Sequence, residues 1–254
     1  DESSLRGAVQ ALEMGLFKPI LVGPKARIEA VAKQFKIDIS GCEVVDAPHS
    51  VGSAETAVRL AREGKAEMLM KGSLHTDELM AAVVKRETGL RTGRRVSHCF
   101  IMDVPAIDRV VIITDAAVNI FPTLEDKVHI VQNAIDLAHA LGLEQPKVAI
   151  LSAMETINPQ VPSTIEAAAL CKMAERGQIT GGLLDGPLAL DNAIDLGAAR
   201  IKKITSQVAG LADILVVPDL EAGNMLAKSL SFMADADAAG IVLGARVPII
   251  LTSR

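Results

Sequence analysis

The sequence contains no tryptophan and no tyrosine, and aromatic residues make up only 2% of its 254 residues. Half of all residues are nevertheless hydrophobic, so the core has to be built from aliphatic side chains such as Ala, Leu, Ile, Val and Met. A chain of this length can bury such a core in one large domain or in two modest ones.

Long hydrophobic runs are also missing. The longest, such as Ile214–Pro218 and Val247–Leu251, are far shorter than the roughly 20 residues that a transmembrane helix needs. The start, Asp1-Glu2-Ser3-Ser4, has neither the basic nor the apolar region of a secretory signal. The net charge of −5 argues against broad nucleic-acid binding, although a small anionic ligand needs only a local basic pocket. We therefore expect a cytoplasmic protein with no nucleic-acid or membrane partner.

Cysteine is scarce, and the three residues Cys42, Cys99 and Cys171 include no CxxC pair. That pattern suits a reducing compartment better than a disulfide framework. Any of the three could be a nucleophile, but free cysteines are more often buried as small hydrophobic residues. The five histidines are scattered and form no HxxxH or carboxylate-rich signature, so we expect neither a catalytic metal nor another cofactor.

What the sequence does contain is a regular alternation of short apolar runs and amphipathic stretches. Strands are predicted at segments such as Pro19–Gly23 and Arg109–Thr114, and helices at segments such as Thr123–Leu141. Short apolar strands between amphipathic helices are typical of parallel sheets covered on both faces, so the predicted fold class is α/β. Further predicted elements are the helices His75–Arg86, Asp191–Ile204 and Glu221–Ala234 and the strands Met68–Met70, Cys99–Val104, Gly181–Leu184 and Gly240–Leu243.

One segment, Lys85–Val96, departs from this alternation. It holds five Lys or Arg residues against a single acid, Glu87, and we place a domain boundary there. The two strands that follow are joined by the short link Pro105–Asp108 and are predicted to form a hairpin. The basic side chains could attract a highly charged anion. The alternative is a solvated turn that forms salt bridges with a neighbouring subunit. The candidate binding residues are Arg91, Arg94 and Arg95.

Polar residues at strand ends are the first candidates for a binding site, because ligands of open α/β sheets bind at the carboxyl ends of strands. The segment Lys71–Asp77 leaves a strand, turns at Gly72 and enters a helix. Its amides and the hydroxyls of Ser73 and Thr76 would present donors at the positive end of a helix, which favours phosphate. In the alternative interpretation, Ser73 or Thr76 only caps the helix.

Three more strand ends carry an aspartate before a helix. They are the segments Thr114–Asn119, Leu184–Pro187 and Val217–Asn224. Each aspartate taken alone is typical of a loop or helix cap, but three together suggest a shared polar cleft. The last strand leads to Ser253 and Arg254, and an arginine there could bind phosphate with two parallel hydrogen bonds. It could equally be an ordinary surface residue.

Taken together, these segments resemble the phosphate acetyl/butyryltransferases. The resemblance covers essentially the whole chain in order, and Gly89–Arg95 makes it nearer the butyryltransferase branch. The sequence is also similar to the phosphotransacetylase module that is fused to an enoyl-CoA hydratase in some bacterial proteins. The segments that carry the resemblance are Lys71–Thr76, Thr114–Asn119 with Pro122-Thr123, Leu184–Pro187, Pro218–Asn224 and Ser253-Arg254.

The resemblance implies a two-domain α/β fold like that of isocitrate and isopropylmalate dehydrogenases, with a cleft between the domains. The first domain is expected at residues 1–95 plus 240–254 and the second at residues 96–239. The implied reaction is acyl-CoA plus phosphate giving acyl phosphate plus CoA, without a metal or a covalent acyl-enzyme. Coenzyme A, phosphate and acyl phosphate are the implied partners, and the enzyme is expected to be a homodimer or a larger homo-oligomer.

That chemistry needs an anion cradle, an oxyanion stabiliser and help in deprotonating the CoA thiol. By resemblance, Ser253 and Arg254 are catalytic and stabilise the tetrahedral transition state. The expected site residues fall into three further groups: for phosphate Lys71, Gly72, Ser73 and Thr76; for coenzyme A Arg91, Arg94 and Arg95; and along the cleft His75, Asp115, Asn119, Asp185, Asp219 and Asn224. Family members continue past the Ser-Arg pair, some with an aspartate as the proposed base, so we expect the sequence to be part of a longer protein.

Two other functions remain as alternatives. A dehydrogenase of the same fold resembling isocitrate dehydrogenase would use a tyrosine and a metal-binding aspartate cluster, and the sequence has no tyrosine. A non-catalytic module that binds acyl-CoA or acyl phosphate is the second alternative, and turnover with CoA and phosphate separates it from the enzyme.

Overall fold

The computed structural model describes residues 1–251, in which helices and strands alternate as the sequence predicts. The helices are α1 (Glu2–Glu13), α2 (Lys25–Phe35), α3 (Ser50–Arg62), α4 (Thr76–Val83), α5 (Leu124–Ala140), α6 (Pro162–Glu175), α7 (Leu190–Ile194), α8 (Leu196–Ile201) and α9 (Leu220–Met233). The strands are β1 (Ile20–Gly23), β2 (Glu43–Asp46), β3 (Leu69–Met70), β4 (Ser97–Asp103), β5 (Val111–Thr114), β6 (Lys147–Leu151), β7 (Leu183–Leu188), β8 (Ile214–Val216), β9 (Asp237–Leu243) and β10 (Ile249–Ile250). The α/β class is confirmed. No helix in the described part of the chain is long and apolar enough to cross a membrane.

The chain divides into two compact units. The first contains residues 1–94 and the described residues from Gly244 onwards, and the second contains Arg95–Leu243. Residues 240–243, which we expected in the first domain, belong to the second unit because β9 pairs along the whole length of β4.

The second unit is built on six strands in the order β9-β4-β5-β8-β6-β7. Strands β5, β8, β6 and β7 run parallel, so their carboxyl ends lie at one edge. Strand β4 is antiparallel to β5 and to β9, which confirms the predicted hairpin.

Successive residues of these strands point to opposite faces of the sheet and enter two separate cores. On one face Ile113 and Leu215 pack with side chains of α7, α8 and α9. On the other face Ile112 and Ile214 pack with side chains of α5 and α6. The three layers are held together almost entirely by aliphatic contacts, as the composition requires.

The first unit contains two parallel strand pairs, β1 with β2 and β3 with β10. Helices α1 and α2 share a core that includes Leu5, Val9 and Ala32. Helix α3 packs on α4, and its buried residues include Val58 and Leu60. The pairing of β10 with β3 confirms that the last strand returns to the first unit beside Leu69–Met70. It begins directly after Pro248, which lacks the N–H that a strand interior would use.

Candidate functional site

A loop after β3 forms the first part of the candidate site. The backbone N–H of Lys71 donates to the Ile250 carbonyl of β10 at 2.9 Å. The Lys71 side chain is only 4% exposed, and its ammonium donates to the carbonyl oxygens of Gly72 and Leu74 at 3.3 Å each. The buried ammonium therefore turns loop carbonyls inward and places a positive charge directly beneath the loop, which favours an anion above it.

The loop leads into the first turn of α4, whose N-cap is His75. The His75 N–H donates to one carboxylate oxygen of Glu78 at 2.8 Å, and the Ser50 hydroxyl donates to the other at 2.5 Å. Because His75 occupies the capping position, neither Ser73 nor Thr76 is the N-cap, which removes the alternative interpretation of their hydroxyls. Both residues are exposed next to the positive end of the helix.

Space beside this loop is open. A Cβ added to Gly72 would meet no atom of residues 1–251 within 4 Å. Of the predicted phosphate residues, Ser73 and Thr76 are exposed and Gly72 is half-buried, and the buried ammonium of Lys71 lies beneath them. The predicted catalytic residues Ser253 and Arg254 lie outside the described residues. Strand β10, which precedes them, ends next to Lys71, with Ile250 paired to Met70.

A second group of polar residues surrounds the carboxyl end of β5 in the second unit. Asp115 is 3% exposed and accepts hydrogen bonds from the N–H groups of Ala117, Val118 and Asn119 at 2.9, 3.0 and 3.1 Å. The Asn119 side-chain amide also donates to it at 2.5 Å. The carboxylate thus shapes the loop from inside, and in this structure it is buried in the loop.

Asn119 extends the same network to the basic segment. Its side-chain oxygen accepts from the Arg95 guanidinium at 2.7 Å, and its side-chain amide donates to the Val96 carbonyl at 2.9 Å. Arg95 also pairs with Asp126 at 3.1 Å. Two groups of the second unit therefore hold the Arg95 guanidinium.

The start of α9 is attached to the same loop. Asp219 is the N-cap and accepts from the Ala222 N–H at 2.9 Å, while the Asn224 side chain donates to the Ala116 carbonyl at 3.2 Å. Helix α9 approaches closely at Gly223, where an added Cβ would lie 3.0 Å from both the Ala116 Cβ and the Asp115 carbonyl oxygen. Four of the predicted cleft residues, Asp115, Asn119, Asp219 and Asn224, are thus brought together around the ends of β5 and β8.

The expected position of Asp185 is wrong. It was expected after a strand that ends at Leu184, but β7 continues to Leu188, so Asp185 lies within the strand and pairs with Ala149 of β6. It accepts a hydrogen bond from the neighbouring Gly186 N–H at 2.8 Å. The structure gives it no hydrogen bond to the group around Asp115 in the described part of the chain.

The other predicted basic residues lie in the first unit. The backbone of Arg91 pairs with that of Ala245 in a single antiparallel β-bridge. Both Arg91 and Arg94 are exposed. The Thr92 hydroxyl donates to the Gly244 carbonyl at 2.5 Å and accepts from the Arg94 N–H at 3.0 Å. The three arginines that we treated as one group therefore have different partners, with Arg95 bound into the second unit.

Sequence reasoning missed Glu78 and Asn133. Glu78 joins Ser50 of α3 to His75 and could have been found as the acid three residues after a helix N-cap. The Asn133 side chain donates to the Arg95 carbonyl and to the Ser97 hydroxyl at 2.9 Å each. No local pattern distinguishes it from a surface residue of α5, because its partners are almost forty positions away.

Burial sets the ionisation of three potential reactive groups. It raises the pKa of Cys99 and of Cys171 to about 12 each, so both are thiols at neutral pH. Burial lowers the pKa of His98, although the charge of Asp115 opposes this. Within residues 1–251 no three His, Cys, Asp or Glu side chains are grouped so as to hold a metal ion.

The chain was compared with known proteins. A family model described as phosphate acetyl/butaryl transferase matches residues 52–254. The chain is 67% identical to a phosphate acetyltransferase of Rhizobium meliloti over 254 residues, which is 100% of the chain and 80% of that protein. It is 42% identical to a phosphate butyryltransferase of Clostridium acetobutylicum, over 100% of the chain and 84% of the relative.

The chain also resembles solved structures. A branched-chain phosphotransacylase from Enterococcus faecalis V583 matches with a TM-score of 0.79 and 36% identity, over 85% of this chain and 77% of that one. A 4-hydroxythreonine-4-phosphate dehydrogenase from Klebsiella pneumoniae shares the fold alone, with a TM-score of 0.54 and 12% identity over 92% and 81% of the two chains. This second likeness agrees with the predicted relation to dehydrogenase folds.

Proposed function

Because the chain belongs to the phosphate acetyl/butaryl transferase family, we propose that phosphate binds at the Lys71–Thr76 loop for the reaction that this family performs. The chain is a phosphate acyltransferase that exchanges coenzyme A and phosphate on a short acyl group. Acyl-CoA and phosphate give acyl phosphate and CoA. The geometry that carries the proposal is the exposed helix start over a buried ammonium.

The roles within the loop follow from its contacts. The Ser73 and Thr76 hydroxyls and the first amides of α4 would donate to phosphate oxygens. Lys71 would act from below, because its ammonium is bonded to the Gly72 and Leu74 carbonyls and supplies charge without leaving them. Phosphate held there is oriented to attack the thioester carbonyl, which converts a bimolecular step into a local one.

Ser253 and Arg254 are proposed to stabilise the oxyanion that forms at the thioester carbonyl. A guanidinium donates two parallel hydrogen bonds, which suits a phosphate or a tetrahedral intermediate. Arg91 and Arg94 are proposed to meet the phosphates of coenzyme A. Arg95 is proposed to hold the shape of the segment, since Asn119 and Asp126 already engage its guanidinium. His75, Asp115, Asn119, Asp185, Asp219 and Asn224 remain predicted cleft residues.

Acetyl is the proposed acyl group, on the strength of the 67% identity to a relative named phosphate acetyltransferase. No metal or other cofactor is needed for the proposed steps, because hydrogen-bond donors and a guanidinium supply the charge stabilisation. We also propose that the enzyme is a homodimer. We further propose that it acts in the cytoplasm, and imaging of the tagged full-length protein would test that location.

The proposal is tested by thiol release from acetyl-CoA and butyryl-CoA with and without phosphate. We expect release only with phosphate, arsenate as a working substitute, and a higher kcat/KM for acetyl-CoA. Release that ignores phosphate would indicate a thioesterase. No release from any short acyl-CoA would favour the non-catalytic binding module.

A further inference from the structure

The carboxylate of Glu78 connects the beginnings of two helices of the first unit. One of its oxygens accepts from the Ser50 hydroxyl of α3 at 2.5 Å, and the other accepts from the His75 N–H before α4 at 2.8 Å. The Glu78 side chain is half-buried. Ser50 and Glu78 are 28 positions apart, so the connection joins two separate elements, whereas a capping box stays within one helical turn.

The start of α3 gives this connection a fixed anchor. His49 is the N-cap of α3, and its Nδ1 atom accepts from the Gly52 N–H at 3.0 Å. Ser50 is the first residue of the helix that follows, and α3 packs against α4. A contact with Ser50 therefore holds the first turn of α4 against a neighbouring helix.

The peptide group between Leu74 and His75 is held on both sides. Its carbonyl oxygen accepts from the Lys71 ammonium at 3.3 Å, and its N–H donates to Glu78 at 2.8 Å. In a planar trans peptide the C=O and the N–H point in opposite directions, so the two contacts fix the orientation of the whole group. Both contacts involve a charged partner, which makes them stronger than hydrogen bonds between neutral groups.

This peptide group lies between the two side chains that are proposed to donate to phosphate. Ser73 precedes Leu74, Thr76 follows His75, and both hydroxyl residues are exposed. The backbone dihedrals on either side turn with the plane of the peptide group, so a rotation of this group would redirect both hydroxyls and the first amides of α4. The orientation of the group therefore sets how many donors converge on one phosphate.

We propose that Glu78 is a positioning residue for phosphate, an inference that rests on the proposed function. By bonding the start of α3 and the His75 N–H at once, Glu78 fixes the peptide group before His75 and the hydroxyls on either side of it. The carboxylate itself does not contact phosphate. Its negative charge suits the positive ends of α3 and α4 but repels phosphate, so its benefit to phosphate binding comes from geometry.

The test measures phosphate-dependent thiol release from acetyl-CoA. In Glu78→Ala we expect the KM for phosphate to rise about tenfold, the size of one lost hydrogen bond to a charged group, while the KM for acetyl-CoA stays within about twofold of wild type. Glu78→Gln should return the KM for phosphate to the wild-type value or lower, because its uncharged amide can accept from His75 and donate to Ser50. A role in stability alone would lower the melting temperature and leave both KM values unchanged.

Ser50→Ala breaks the same connection from the side of α3, so the test does not depend on the folding of Glu78→Ala. We expect the KM for phosphate to rise about threefold in Ser50→Ala. The double variant should be no worse than Glu78→Ala alone, because both changes remove one connection. Ser53→Ala is the matched control, since the Ser53 hydroxyl donates to the His49 carbonyl within α3, and it should leave the KM for phosphate unchanged.

Three results would overturn the inference. They are an unchanged KM for phosphate in Glu78→Ala and Ser50→Ala, an equal rise in the KM for acetyl-CoA, and effects that add in the double variant. A lower KM for phosphate in Glu78→Ala would also contradict it, because the carboxylate would then only repel phosphate.

A wild-type protein with no phosphate-dependent thiol release would contradict the proposed function instead. Calorimetry with inorganic phosphate then decides the inference about Glu78. Binding that is about tenfold weaker in Glu78→Ala than in wild type would support it. Equal affinities, or no binding of phosphate by wild type, would reject it.

Discussion

At the scale of single residues, burial decides which polar groups are structural. Asp115 and Asn119 were predicted to line a cleft, and the structure places both below 5% exposure with hydrogen bonds to the loop backbone and to Arg95. A sequence reveals that an aspartate follows a strand, but it does not reveal how many amides turn back towards it. The position of Gly72, Ser73 and Thr76 between β3 and the first turn of α4 could be predicted because a strand, a glycine and a helix start occur in one short run.

His98 offers a test of burial at this scale. It is 2% exposed, and its Nδ1 atom has no hydrogen-bond partner among the described residues, so folding favours the neutral ring. Since burial lowers its pKa in the folded state, the unfolded chain binds the proton first as the pH falls below the usual value of about 6.5. The contribution of neutral His98 to the free energy of unfolding is therefore fully present above that pH and is lost as the pH falls towards the folded pKa.

We expect the melting temperature to fall between pH 7.5 and pH 5.5 and to fall less steeply in His98→Gln. The difference in melting temperature between wild type and His98→Gln at pH 8.0 measures any packing defect that the substitution causes. Equal slopes for variant and wild type would show that His98 does not contribute to the acid sensitivity.

At the scale of elements, most of the alternation was predictable because each strand and helix carries its own apolar pattern. Two helix boundaries were misplaced, and in both cases a hydrogen bond outside the regular helical pattern sets the boundary. The predicted helix His75–Arg86 ends at Val83 because the Leu90 N–H bonds to the Val83 carbonyl at 2.7 Å. The predicted helix Asp191–Ile204 is split into α7 and α8 because the Asp195 side chain caps α8 through the Ala198 N–H.

The end of β7 was also misplaced. The predicted strand Gly181–Leu184 ends too early, because β7 continues through Gly186-Pro187 to Leu188. A Cβ at Gly186 would lie 2.7 Å from the Ile150 carbonyl oxygen, so the glycine permits close contact between β7 and its neighbour. Sequence patterns cannot separate a glycine that ends a strand from one that lets two strands approach.

The contact of α9 with the β5 loop depends on Gly223 in the same way. In Gly223→Ala the new Cβ would lie 2.7 Å from a Val217 methyl group and 3.0 Å from the Asp115 carbonyl oxygen. Such overpacking costs about 1–3 kcal/mol. We expect a lower melting temperature and faster amide exchange in α9.

Gly7→Ala is the matched control. Gly7 lies in α1, where the added Cβ would lie 3.8 Å from the Met70 side chain, an ordinary van der Waals distance. Alanine should stabilise this helix interior by up to about 1 kcal/mol. An unchanged melting temperature and unchanged exchange in Gly223→Ala would contradict the tight contact.

At the scale of the whole molecule, the exposed face of α9 bears on the proposed homodimer. Met225, Phe232 and Met233 are 63%, 85% and 84% exposed, and Met225 and Phe232, seven positions apart, share a face of the helix. Side chains of this size expose roughly 400 Å² together, comparable with the largest apolar patch of a typical monomer. A two-fold contact would cover the same face on both copies.

We expect wild-type protein to sediment as a dimer and Phe232→Glu/Met233→Glu to sediment as a monomer. Met14→Glu, at an exposed methionine after α1, should remain dimeric. A monomeric wild type, or a double variant with the mass of the wild type, would show that α9 is not the interface.

The central claim concerns the fate of the acyl group, and ³¹P NMR of a reaction with acetyl-CoA, phosphate and EDTA tests it most directly. The account predicts one acetyl phosphate for each thiol released, at the same rate with and without the chelator, because phosphate attacks the thioester and no metal takes part. Free acetate with no acetyl phosphate, or activity that EDTA abolishes and Mg²⁺ restores, would contradict it.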